Sequence, residues 1–129
     1  MTSNQQHFSA ILVIEDVEET RRGTEPLLTA SGYQVTTARD EDNAVLQASL
    51  NPPDLILISP GVHPVGAVAI ARRIRDRSGL GEEVPVVFFS VTSLDEGEEV
   101  GVGHNVHMTR PDNFDQLRAL LNRLLRKLP

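Results

Sequence analysis

The groups in this chain that could act on a ligand, or on one another, are the adjacent acids Glu15 and Asp16, the hydroxyls of Ser59 and Ser90, and the guanidinium of Arg110. Neighbouring carboxylates are what a hard divalent cation takes as ligands. A serine attacks nothing until a base removes its proton, and Asp16 is the sole candidate base in this set. Arg110 offers a planar fork of donors that grips a carboxylate at two points, unlike the point charge of a lysine. Ser59 with His63 suggests a hydrolase, but no Gly-x-Ser-x-Gly elbow is present and Ser59 is flanked by Ile58 and Pro60. His63, His104 and His107 suggest a metal cluster, yet single histidines in loops are more often neither ligand nor catalyst. With no cysteine in the chain, thiol catalysis, disulfides and thiolate metal sites all drop out. The residues therefore point away from an enzyme.

Apolar runs of strand character alternate with segments of helical spacing, the pattern of an α/β domain built on a parallel sheet. The spacing predicts strands at Ala10 to Ile14, Tyr33 to Ala38, Asp54 to Ile58, Val84 to Phe89 and Val106 to Thr109. Helices are expected from about Glu18 to Ala30, from Asp40 to Leu50, after the loop marked by Pro60, Gly61 and Pro64, and from Phe114 to Leu128. Gly23 and Pro26 predict a kink or a late start in the first helix. In the third, Ala67, Ile70, Ala71 and Ile74 mark the buried face, with Arg72, Arg73 and Arg75 expected largely in water. Gly97, Gly101 and Gly103 each cost a helix about 1 kcal/mol, so any fourth helix within Asp95 to Val106 should be short, irregular or absent. In open parallel sheets ligands gather at the carboxyl ends of the strands, and each of the reactive residues falls at such an end.

A chain of 129 residues, 40% hydrophobic, is the size of one compact domain, expected over 1–129 with its core at about 10–128. No apolar run is long enough to span a membrane, and the start lacks the pattern of a secretory signal, which points to a cytoplasmic protein. The net charge of -6 argues against nucleic-acid binding. Arg118, Arg123, Arg126 and Lys127 read as a solvated face that complements the dipole of the closing helix. Met1 and coverage by one domain lead us to expect a complete protein.

Several segments resemble the receiver domains of two-component response regulators, over about Ala10 to Leu128. Ile11-Leu12-Val13-Ile14-Glu15-Asp16 is similar to that family's first strand and acid pair, and Pro53-Asp54-Leu55-Ile56-Leu57-Ile58 to the approach to its phosphorylation site. Arg72-Arg73-Ile74-Arg75, Pro85 to Ser90 and Thr109-Arg110-Pro111 resemble further family segments. The resemblance implies a flavodoxin-like (βα)5 fold, a doubly wound parallel five-stranded sheet of order 2-1-3-4-5. It also implies roles. Glu15 and Asp16 match the acids that hold Mg²⁺, and Ser90 matches the hydroxyl that bonds the phosphoryl group. Four positions depart: Ser59 stands where the family has its phosphorylated aspartate, Arg110 where it has lysine, His107 at the aromatic switch position, and Val91 where a small residue leaves room for phosphate. His63 also replaces a common proline.

These departures imply a degenerate phosphorylation pocket with a weak or vestigial Mg²⁺ site at Glu15 and Asp16, and otherwise no cofactor. Arg110 is expected to bridge to Asp16 or Glu15. Such a pair at about 4 Å is worth roughly 4 kcal/mol at an effective dielectric near 20, before desolvation. The function expected is that of an atypical receiver acting as a phosphorylation-independent protein-interaction module. The alternatives are a switch phosphorylated at Ser59 or another acceptor, and a small-ligand domain. Two surfaces are candidates for docking: the last helix, where Leu120 and Leu125 would serve a homodimer, and the irregular Asp95 to Val106 segment.

Overall fold

The computed structural model describes residues 9–59, 64–89 and 91–126. Within them the order is β1 (Ala10–Ile14), α1 (Glu18–Ala30), β2 (Gln34–Ala38), α2 (Glu41–Leu50), β3 (Leu55–Ile58), α3 (Pro64–Ser78), β4 (Val86–Phe88), β5 (Glu99–Gly101), β6 (Val106–Thr109) and α4 (Phe114–Arg126). The strands form one sheet of order β2-β1-β3-β4-β6-β5. All neighbours pair in parallel except β5, which runs antiparallel to β6 on the edge. The flavodoxin-like fold expected from the sequence is therefore present, with β6 as its fifth parallel strand. The segment in which a fourth helix was expected to be short, irregular or absent holds none, and it supplies a sixth strand that was not expected.

Alternation along the central strands divides the core between the two faces of the sheet. Leu12, Ile14, Ile56, Ile58, Val86, Phe88, Val106 and Met108 pack with Ala44 and Ala48 of α2 and Ala67, Ala71 and Ile74 of α3. Ile11, Val13, Leu55, Leu57, Val87 and Phe89 pack on the opposite face with Leu28 of α1 and five leucines of α4. Burial on both sides explains why β1 and β3 are aliphatic at nearly every position.

Leu120 and Leu125 are 2% and 9% exposed, so they belong to this core. They cannot anchor a homodimer, and that expectation is corrected: α4 lies across several strands and needs a wide apolar stripe. Arg75 is a second correction. It is 3% exposed, because its position one turn beyond Ala71 sets it on the packed side of α3. Arg72 and Arg73 are exposed as expected.

The helix ends follow local chemistry. The Asp40 side chain accepts from the Asn43 amide at 2.8 Å and so caps α2. Helix α1 starts at Glu18 without delay, with Pro26 inside it. Pro26 is exposed, and its missing amide removes one bond of the helix ladder.

Candidate functional site

The carboxyl ends of β1 and β3 are held side by side. The Ser59 amide donates to the Ile14 carbonyl at 2.9 Å, and the Glu15 amide donates to Ala38 at 2.9 Å. The ends of β3 and β4 are joined next, through the Phe89 amide and the Ile58 carbonyl at 3.0 Å, and Val91 reaches the Thr109 carbonyl at 3.2 Å. These bonds bring Glu15, Ser59 and the residues after β6 to one pole of the sheet. Ser90 and His63 lie outside the described residues.

Glu15 is buried, and its carboxylate turns back on its own chain, with Oε2 accepting from the Val17 amide at 3.0 Å. Its carbonyl accepts from Nη1 of Arg21 at 2.6 Å. Arg21 is a residue that the sequence reading missed; the available signal was a cation in the first turns of the helix that follows the acid pair. Asp16 is exposed. Ser59 is 8% exposed.

Arg110 does not bridge the acids. Its Nη1 donates to the Leu94 carbonyl at 3.1 Å, and its amide to the Glu98 carbonyl at 3.1 Å. Among the described residues no ion pair joins it to Glu15 or Asp16. The physical reason is the segment that leads into the added strand: the chain at Leu94 and Glu98 folds beside Arg110 and presents carbonyls to it. The expected bridge is corrected accordingly.

His107, on β6, contacts Asn105 Oδ1 through Nε2 at 2.9 Å, whereas His104 pairs through Nδ1 with Glu82 Oε2 at 3.1 Å. His104 and His107 are thus engaged with different partners. No group of three or more His, Cys, Asp or Glu side chains among the described residues could hold a metal ion. Among the described residues a divalent cation at the pole would find the acids Glu15 and Asp16, the first buried and already accepting a backbone bond. Two carboxylates, one of them engaged, make a weak donor set for Mg²⁺, which takes oxygen ligands in near-octahedral array.

Beside the pole, Arg21, Thr37, Ala38, Arg39 and Asn43 line a cleft of about 290 Å³ that does not include Ser59. At the opposite pole lies the buried Arg75. It donates to the Val84 carbonyl from Nε and Nη2 at 3.1 and 2.6 Å, to His104 from Nη1 at 2.8 Å, and to Asn105 from Nη2 at 3.0 Å. Burial lowers its pKa, yet a guanidinium stays charged at neutral pH.

No family model matches the chain. The transcriptional regulatory protein KdpE of Staphylococcus aureus is 29% identical over 113 residues, which cover 86% of this chain and 47% of that protein. The uncharacterized transcriptional regulatory protein YrkP of Bacillus subtilis is 31% identical over 119 residues, covering 91% and 49%. The crystal structure of the N-terminal domain of a response regulator/sensory box/GGDEF protein from Carboxydothermus hydrogenoformans superposes with a TM-score of 0.60 at 25% identity, covering 91% of this chain and 94% of that one. The chain has the receiver fold and is homologous to response regulators. It spans about half the length of the curated regulators it matches. Several of these relatives are named as transcriptional regulatory proteins. No helix among the described residues of this chain is long and apolar enough to cross a membrane.

Proposed function

We propose that this receiver is an atypical one, a cytoplasmic docking module that signals without aspartyl phosphorylation. In this reading Glu15, Asp16, Ser59, Ser90 and Arg110 form a degenerate phosphorylation pocket, and His107 occupies a switch position that has lost its trigger. The observation that carries it is Ser59. A neutral hydroxyl stands at the buried end of β3, tied by its amide to β1 beside Glu15. An ionised aspartate at such a place attacks a phosphohistidine unaided, whereas an alcohol needs a base. The Glu15 carboxylate is committed to Val17, and Asp16 is exposed at the rim. The turning of Arg110 toward Leu94 supports the same reading, since its guanidinium is held by a carbonyl instead of facing the pocket.

Without a phosphoryl group to bind, the pole has no chemical input, and the output surface keeps one conformation. Partner binding then depends on abundance and on the partner's own state. The test is incubation with acetyl phosphate and Mg²⁺, followed by intact-mass measurement. The expected result is no adduct. A stoichiometric phosphate adduct released by hydroxylamine would overturn the proposal.

A further inference from the structure

Among the described residues no strand pairs with the outer edge of β5, and its hydrogen-bond alternation specifies what that edge presents. The register sets Glu99 against Thr109, Val100 against Met108 and Gly101 against His107. The Arg110 amide donates to Glu98, and the Val102 amide to Val106. Bonding to β6 therefore falls on residues 98, 100 and 102, so the amides and carbonyls of Glu99 and Gly101 point away from β6. Natural edges are commonly blunted by short length, charged side chains, proline or a bulge. β5 is short and carries one acid, Glu99, whose charge is taken up by Arg123, but between Glu99 and Gly101 it has no lysine and no proline. The one irregularity lies just before the strand, where Gly97, at φ +84°, and Glu98 both face Arg110.

We propose that this edge is a self-association surface, on which a second copy of the chain adds its own β5 in antiparallel register about a twofold axis at Val100. An antiparallel edge is complementary to itself. Glu99 of one copy would face Gly101 of the other, on either side of the axis, and each such pair would exchange both its bonds. Charge and size agree with that register. The Glu99 carboxylate is drawn onto Arg123 Nη2 at 2.6 Å, so it meets a glycine without a like charge opposite. Val100 is half-buried, and on the axis it would meet its own counterpart, covering apolar surface that the monomer leaves partly in water. The opposite residue, Gly101, brings no side chain to obstruct the approach. The inference is independent of whether Ser59 takes phosphate.

The patch is small, so association belongs in the weak class, with a dissociation constant on the order of 0.1–1 mM. Sedimentation velocity of the full chain from about 10 μM to about 1 mM should show a rise from monomer toward dimer. Gly101→Pro removes an outward amide and leaves the ladder to β6 untouched. A Cβ at Gly101 meets only His107 Nδ1, at 3.8 Å, so this variant should fold. Val100→Lys places like charges across the axis. Each should weaken association by about tenfold or more while the monomer's circular dichroism stays unchanged. Amide exchange in the unmodified chain gives a readout that needs no variant: protection of Glu99 and Gly101 should rise with concentration, and that of Val100, already bonded to β6, should not. A chain that stays monomeric at about 1 mM overturns the proposal. So does a dimer indifferent to both variants, or concentration-independent exchange at Glu99 and Gly101.

Discussion

Arg75→Met should be among the most damaging single changes in this domain, although among the described residues no carboxylate pairs with the side chain and it lies at the opposite pole of the sheet from Glu15 and Ser59. The guanidinium, 3% exposed, satisfies the carbonyls of Val84, His104 and Asn105. Two of these belong to residues in the left-handed region, His104 at φ 56° and Asn105 at φ 58°, a conformation costing about 1–2 kcal/mol for a residue with a side chain. Removing the donors strands the carbonyls of Val84 and His104 at about 1–3 kcal/mol each where burial is complete, while that of Asn105 keeps the Val86 amide at 3.1 Å. Relief of the desolvation that opposes a buried cation returns part of this, and the methionine stem keeps much of the packing. The net loss should be about 3 kcal/mol, which for a domain of this size lowers Tm by roughly 10 °C. Urea denaturation should show a reduced midpoint with an unchanged slope. Arg72→Met, exposed on the same helix, should cost less than about 0.5 kcal/mol, and Arg75→Lys should recover only part of the loss because one ammonium cannot reach all three carbonyls. If Arg75→Met and Arg72→Met proved equally mild, the view of Arg75 as the tie between α3 and the starts of β4 and β6 would be wrong.

Ser59→Asp puts a second buried carboxylate near Glu15 and should destabilise by about 2 kcal/mol at neutral pH; millimolar Mg²⁺ should raise the Tm of that variant and not of the unmodified chain, and an equal response in both would refute the assignment. Tyr33 is the only tyrosine, and burial pushes its phenol above the usual 10 against the opposing fields of Arg118 and Arg126. Ultraviolet titration should show the folded chain ionising later than the urea-unfolded one, with the associated stability present below pH 10 and lost as pH rises through the folded value; coincident curves would count against the burial. The hydrogen-bonded Arg73 guanidinium, with help from Arg77, holds Glu41 down to about 2. The α2–α3 contact should therefore keep its strength above about pH 4.5 and lose it as pH falls toward 2. Glu41→Gln should remove that acid dependence at a cost within about 1 kcal/mol, because both arginines remain solvated; an undiminished acid loss in the variant would place its source elsewhere.

Much of this architecture is legible in one dimension. The aliphatic runs at Ala10–Ile14 and Leu55–Ile58 could only be central strands, since a strand covered on both faces needs apolar groups at every position. Their ends therefore placed Glu15 and Ser59 at one pole before any contact was known. Glycines at 97, 101 and 103 disfavoured a helix by their backbone entropy, and the neutral hydroxyl of Ser59 after the third strand needed no structure to notice. What tertiary structure decided was the fate of groups whose partners are distant in the chain. That glycine-bearing segment became a strand because β6 offered an open row of donors and acceptors, information held in neither segment alone. Arg75 was hidden because carbonyls from two loops closed over it, and Arg110 turned toward Leu94 because the loop leading into the new strand carried a carbonyl within reach. Periodicity reports which face of an element is apolar; it does not report which backbone atoms will be waiting there, and in this receiver those atoms direct both of these arginines.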